Sequence, residues 1–392
     1  MKRDDQAIAK AARSAAEGAL NDELELLKKL CSFDCASGNE EGNAKIAEVV
    51  DEALKTIDGI EIEHVYAPGD GFHVLGRLKP EHPTGRIILN AHLDTVFQNV
   101  SVADYPFHID GDMAYGLGSG DCKGGVVVAI TAVRLAQKLG LLPQKEIVFM
   151  FNCDEEVSST GSGYRFFDLA LPADEVYVFE GTGQDGNLCI QRKCGCRFKV
   201  DVTGVRAHSA SGYMKGRSAV VELAHRILRL YENNDNERGV QFNFGELNND
   251  DPMNVVSGHA WVTGSVRVAN QEDVKVFLDA VARVEAEPPY LEGTQTKITV
   301  NTSKTALLME RNERNAALFE TIRQAGALLG QDLAEKPRAG FGDVCYFNSK
   351  GCACVDGLGP WSMRAHSSDE HIYIPSLVER TALFLTVLGR ME

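Results

Sequence analysis

Several short stretches of this 392-residue chain place histidine or carboxylate side chains where a hydrophobic run stops. Asn90-Ala91-His92-Leu93-Asp94 ends one such run, and the two-residue period of a strand puts His92 and Asp94 on the same side. A metal-binding imidazole commonly donates its second N–H to a carboxylate, which fixes the tautomer and strengthens the ligand. A strand-end histidine capped by a neighbouring aspartate is the plainer alternative. Further on, YGLGSGDCKGG at 115–125 sets Asp121 in a glycine-rich loop just before a helical stretch. Such a loop also suits phosphate, but an acid stands where the anion would go, and neither the P-loop nor the dinucleotide spacing is met. The run EIVFMFNCDEE at 146–156 ends in Asp154, Glu155 and Glu156. Adjacent acids beside a core are costly unless something positive neutralises them, and a charged surface turn is the alternative. Strand alternation would point Glu155 and Glu156 in opposite directions, so that one coordinates while the other acts elsewhere. Glu180 closes the next apolar run, and His366 stands in the polar loop Met363–Glu370.

Together His92, Asp121, Glu156, Glu180 and His366 form an oxygen and nitrogen ligand set that suits two divalent ions. Zinc accepts both ligand types, and paired metals need one bridging carboxylate and open positions for water. Composition agrees with this. Forty Lys and Arg against 56 Asp and Glu leave a net charge of −16, which repels phosphate backbones and anionic bilayers and favours a bound cation. Nucleic acid and membrane are therefore excluded as partners. Lys2 and Arg3 are followed by acids rather than by an apolar run of signal-peptide length, and no apolar stretch reaches the roughly 18–20 residues of a membrane span. A cytoplasmic protein with ten free thiols is expected. The pairs Cys194/Cys196 and Cys352/Cys354 lack the two-residue spacer of zinc ribbons and read as buried strand positions.

Gathering these groups requires strands that end together. Strand-like runs at 71–78, 86–94, 146–156 and 175–180, a helix over 123–139 and outer helices from Asn21 to Leu30 and over 42–57 predict an α/β domain. Its mostly parallel sheet would be covered on both faces and carry ligands at its carboxyl edge. From about Cys194 the pattern becomes strand 198–204, helix 217–231, strands 240–247 and 260–268, helix 273–286 and strand 297–302. That β-α-β-β-α-β order is the ferredoxin-like split unit. A helix over 312–329, a strand near 352–355 and a closing helix over 376–388 resume the first pattern. A discontinuous domain, 1–193 with 304–392, is thus interrupted by an α+β insert over 194–303.

In these ordered motifs the chain resembles the M20 metallopeptidases over nearly its whole length. The resemblance is to the branch of glutamate carboxypeptidases (carboxypeptidase G2-like), acetylornithine deacetylases and aminoacylases. It implies that His92 and Glu180 hold one metal and Glu156 and His366 the other, with Asp121 bridging them. Glu155 would be the general base and Asp94 would orient His92. Residues 106–116 look like the family's approach to its bridging aspartate. In the insert, Arg206-Ala207-His208-Ser209 is similar to a segment whose histidine, in dimeric members, reaches an active site and stabilises the oxyanion. Asn254-Val255-Val256 and Arg267 match positions that contact the substrate carboxylate or carbonyl, and Gly342-Asp343 matches a loop lining the pocket.

The implied cofactor is a pair of divalent ions per chain, Zn2+ or else Co2+ or Mn2+. The implied assembly is a homodimer through the insert, a dimerisation or lid domain. The implied reaction is hydrolysis of an amide bond next to a free-carboxylate amino acid, in a small peptide or N-acyl amino acid. Arg267, with Arg192 or Lys304, would bind the carboxylate. Three positions depart from the family pattern. Cys122 follows the bridging aspartate where Asp, Asn, Met or Gln is usual and the peptide bond is cis in many members. Ser257 replaces a frequent proline, and the lysine that reads a glutamate side chain has no counterpart. The competing readings are a di- or tripeptidase of the same family and a non-catalytic amino-acid or peptide-binding protein on the same fold. Against the latter stand the full ligand set and Glu155. A dinucleotide enzyme is excluded because no strand is followed by the glycine fingerprint.

Overall fold

The computed structural model describes residues 4–159, 165–301 and 307–391. The chain forms two compact units: Met1–Ile190 with Arg311–Lys336 and Gly342–Glu392, and Gln191–Glu310 with Pro337–Phe341. The second unit starts ahead of the expected residue 194 and extends past 303; Lys304 lies outside the described residues. Arg192 accounts for part of the difference. Its guanidinium donates to the Gly340 and Phe341 carbonyls, and its backbone bridges to Met309 and Arg338, tying residues 337–341 to the insert.

The first unit is built on a six-stranded sheet. From edge to edge its strands are Glu61–Ala67, Gly71–Leu78, Glu146–Asn152, Arg86–His92, Glu175–Val178 and Ala353–Asp356. The last four are parallel, and the first two run antiparallel at one edge. Central strands such as Arg86–His92 and Glu146–Asn152 are buried almost throughout, as continuous apolar runs in a covered sheet should be. Helices Asp5–Leu30, Gly124–Lys138 and Pro375–Arg390 pack on one another, while Glu40–Leu54 lies against Gly71–Leu78 and Glu313–Leu328 against Ala353–Asp356.

Two elements differ from expectation. The first helix starts at Asp5, not after Asn21: Asp4 caps it by accepting the Gln6 and Ala7 N–H groups, and its alanine-rich opening buries Ile8, Ala9, Ala12, Ala16 and Ala19. Strand Glu61–Ala67 was not anticipated, because an edge strand exposes most of a sequence, EIEHVYA, that lacks an apolar run.

The second unit has a four-stranded antiparallel sheet in the order Gln241–Asn249, His259–Val268, Cys194–Thr203, Gln295–Val300. Helices Ala219–Tyr231 and Gln271–Ala286 complete the β-α-β-β-α-β unit. Its core contains Phe198, Val200, Val202, Leu223, Leu230, Phe242 and Phe277. Among the described residues no helix is long and apolar enough to cross a membrane. Nine cysteines are described as free and buried, and the Cys354 thiol donates to the Cys352 carbonyl at 3.4 Å. Cys352 and Cys354 join no metal-ligand group among the described residues.

Candidate metal centre

Because strands Glu146–Asn152, Arg86–His92 and Glu175–Val178 are adjacent and parallel, His92, the turn after Asn152 and Glu180 emerge at one edge of the sheet. His92 Nε2 lies 3.0 Å from Asp121 Oδ1 and 3.6 Å from Glu180 Oε1. His366 Nε2 lies 3.1 Å from Asp121 Oδ2 and 3.4 Å from Glu156 Oε2. Each oxygen of Asp121 therefore faces a different imidazole. Donors around one tetrahedral zinc stand about 3.4 Å apart, so these separations and donor types fit a pair of divalent cations joined through Asp121. All five expected ligands are brought together. Cys122 also stands close, completing a group with His92 and Glu180. Its sulfur accepts the His92 backbone N–H at 3.0 Å.

Asp121 belongs to a tight turn in which the Asp121–Cys122 peptide is cis. Gly118, at φ +75°, needs its missing side chain: a Cβ there would stand 2.7 Å from Thr95 Cγ2. The loop's N–H groups converge on a buried acid, Glu370. Its Oε2 accepts from Gly118 at 2.9 Å, and its Oε1 accepts from Gly120 at 2.8 Å and Asp121 at 2.9 Å. The anion-binding capacity of the glycine-rich loop is thus filled by the protein's own carboxylate, which disposes of the phosphate alternative.

Asp94 reaches the His92 ring and holds the following turn as well. His92 Nδ1 donates to the Asp94 backbone carbonyl at 3.0 Å, which turns Nε2 toward the acids, and the Asp94 carboxylate is 3.4 Å from Nδ1. That carboxylate also accepts the N–H groups of Glu155 at 3.2 Å and Glu156 at 3.1 Å and the Ser37 hydroxyl at 2.6 Å. The strand ends at Asn152, and Glu155–Val157 form a 3₁₀ turn. A turn held by Asp94, rather than strand alternation, therefore separates the two glutamates.

The crowding of acids governs their protonation. Burial pushes the Glu155 carboxyl well above the ordinary range, with Asp343, Glu180 and Glu156 adding to the effect against the opposing His92. Burial lifts Glu156 to about 7, partly offset by His92 and reinforced by Asp121. Asp121 goes the other way: burial would raise it, but bonds from His366 and His92 hold it far below the carboxylate range. The same bond from Asp121 raises His366 to about 9.

Glu370 was given no role by sequence, and Asp343 only a place with Gly342 in a loop lining the pocket. Asp343, next to the expected pocket residue Gly342, is buried and accepts Asn152 Nδ2 at 2.6 Å and Ser159 Oγ at 2.7 Å. Glu370 stands four residues after His366, but its partners lie about 250 residues away, and no local pattern announces them.

In the second unit, Ala207–His208 pairs with Val255–Val256, and the Ser209 N–H donates to the Asn254 carbonyl at 3.0 Å, so His208 and Asn254 are neighbours. His208 Nδ1 accepts the N–H groups of Ala210 at 3.1 Å and Ser211 at 3.3 Å, which leaves the proton on Nε2. Arg267 is not with them. It lies at the far end of strand His259–Val268, eight residues or about 26 Å along from His259. Arg192 is buried and engaged with carbonyls.

An open α/β sheet with two imidazoles and several acids at its carboxyl edge is the framework of a metal-dependent hydrolase. Residues 88–390 match the family described as Peptidase family M20/M25/M40, and the chain belongs to that family of metal-dependent peptidases. It is 26% identical over 365 residues to carboxypeptidase G2 of Pseudomonas sp. (strain RS-16), covering 91% of this chain and 86% of that protein. Among solved structures it is similar to aminopeptidase PepT of Bacillus cereus, with a TM-score of 0.78, 18% identity and coverage of 96% and 98%. It is also similar to the Bacillus subtilis YXEP protein, described as a dinuclear metal binding peptidase, with a TM-score of 0.67, 12% identity and coverage of 95% and 98%.

Proposed function

We propose that the protein is a cytoplasmic di-zinc hydrolase that cleaves the amide bond beside a free-carboxylate amino acid in small peptides or N-acyl amino acids. The observation that carries this reading is Asp121, with one oxygen toward His92 and the other toward His366. Kinship with carboxypeptidase G2 supports the choice of bond. Held by His92, Glu180, Asp121, Glu156 and His366, two divalent ions would polarise the scissile carbonyl and bring the pKa of a water toward neutrality. Glu155 takes the proton from the attacking water and passes it to the leaving amine. Asp94 fixes the Glu155–Glu156 turn while that proton moves. His208 donates its Nε2–H to the developing oxyanion, and Arg267 pairs with the substrate carboxylate.

The insert is proposed as a dimerisation domain. His208 lies on a separate two-stranded ladder and Arg267 about 26 Å along strand His259–Val268 from His259, and on this reading His208 serves the partner subunit's site. Two features of the unit support a self-complementary interface. On helix Ala219–Tyr231, Val221, Leu228 and Tyr231 form an exposed apolar stripe. Edge strand Gln241–Asn249, which carries the exposed Leu247, pairs on one side only among the described residues.

The deciding experiment is a hydrolysis screen of N-acyl amino acids, free di- and tripeptides and folate-like glutamates, with zinc, cobalt or manganese added to chelated protein. Turnover of acylated substrates restored by metal is expected. Preference for free peptides would move the reading to a di- or tripeptidase, and metal uptake without any turnover would leave a binding protein.

A further inference from the structure

The two halves of the metal centre arrive from distant parts of the chain. Asp121 ends the loop 116–121, and His366 stands in the hairpin whose strands are Ser362–Met363 and His371–Tyr373. These segments belong to one small sheet, in which His371 pairs with Tyr115 and the Gly116 N–H donates to the Glu370 carbonyl at 3.1 Å. Glu370 adds the side-chain connection already described, its two oxygens accepting three N–H groups of the Asp121 loop, and it is 1% exposed. At the ligand the hairpin backbone is strained. Arg364 (φ 57°) and His366 (φ 65°) both adopt the left-handed conformation that non-glycine residues keep only when their surroundings impose it.

From this geometry we propose that Glu370 is the positioning residue that sets the spacing between Asp121 and His366 and thereby the capacity of the centre for its second cation. The proposal rests on the two-cation reading given above. The hydrogen bonds of the Glu370 carboxylate go to loop N–H groups, and its charge is felt at His366 and Asp121. Glu370 acts by holding the backbone of one ligand loop against the hairpin that carries another. The cation facing His92 and Glu180 depends on the clamp only through Asp121, whereas the cation facing His366 and Glu156 depends on both clamped segments. The effect of losing Glu370 should therefore fall mainly on the second cation. A glutamine keeps the shape of the side chain, but its NH2 group must face at least one backbone N–H.

The test uses the full chain with Glu370→Gln and Glu370→Ala, and Leu383→Ala as a control for general destabilisation in the buried helix Pro375–Arg390, which supplies none of the five ligands. Calorimetric titration of chelated protein with Zn2+ and Co2+ reads each binding step. Backbone amide exchange in the chelated protein reads the loop without metal. Both Glu370 variants should bind the second ion about 10–100-fold more weakly, with the first within about threefold of wild type. Exchange at Gly118, Gly120 and Asp121 should quicken by about tenfold or more, while amides of the central strands stay protected. Leu383→Ala should keep both binding steps. Two undiminished binding steps in Glu370→Gln would overturn the proposal, as would equal weakening of both or unchanged exchange in the loop. Should wild-type protein take up fewer than two ions, the two-cation reading fails, and the exchange measurement still decides whether Glu370 holds the loop.

Discussion

Replacing Asp94 by asparagine exchanges one carboxylate oxygen for an NH2 group at almost constant shape, at a site where every neighbour is a donor. Oδ1 faces the Glu155 N–H at 3.2 Å and the His92 ring at 3.4 Å, while Oδ2 faces the Glu156 N–H at 3.1 Å and the Ser37 hydroxyl at 2.6 Å. Either orientation of the amide brings NH2 against a backbone N–H. The less costly one points it toward Ser37, whose hydroxyl can rotate to accept, and strands the partly buried Glu156 N–H. Losing one charge-assisted hydrogen bond and leaving that donor unmet costs on the order of 3 kcal/mol. Since the bond positions both a ligand and the proposed base, this should surface as about 10–100-fold weaker cation binding and a comparable or larger fall in kcat/KM. Calorimetric metal titration and steady-state kinetics on the best substrate of the screen provide the readouts. Cation affinity and kcat/KM both within about threefold of wild type would show that the backbone of the Glu155–Glu156 turn does not depend on Asp94.

Glu155→Gln should retain both ions, since Glu156 still coordinates, but lose at least about 100-fold in kcat, as checked by elemental analysis beside kinetics. Mixing inactive Glu155→Gln and His208→Ala chains should restore activity, up to about a quarter of wild type at equal proportions, because half the dimers are mixed and each holds one complete site. No recovery after verified subunit exchange would confine His208 to its own chain. Glu23, away from the centre, tests buried electrostatics. It is fully buried, accepts from Thr381, and burial raises its pKa from 4.5 to about 7. Its neutral form suits the fold, so stability should be greatest below about pH 4.5 on this account and decline as pH rises to about 7, by roughly 3 kcal/mol. Glu23→Gln should remove that decline in denaturant titrations across this range, and an unchanged slope would refute the assignment.

Much of the centre was legible in the sequence because parallel strands advertise their ends. A hydrophobic run that stops at His92, at Asp154-Glu155-Glu156 or near Glu180 is a local pattern, and a covered parallel sheet leaves such residues one common edge. The helices and strands between Cys194 and Val300 were readable for a similar reason, since each has its own periodicity. Alternation separated Glu155 from Glu156 and family resemblance said which coordinates, but the turn that separates them follows from Asp94 bonding to their backbone, which alternation alone did not foresee. The bonds made by Glu370, Asp343 and Ser37 were out of reach. Their side chains meet partners 249–252, 184–191 and 57 residues away, and such bonds impose no spacing on either segment. Residue type and periodicity thus determined which groups approach the sheet edge. Only the tertiary structure decided how buried carboxylates grip distant backbone, and hence that Asp121 presents one oxygen to each histidine.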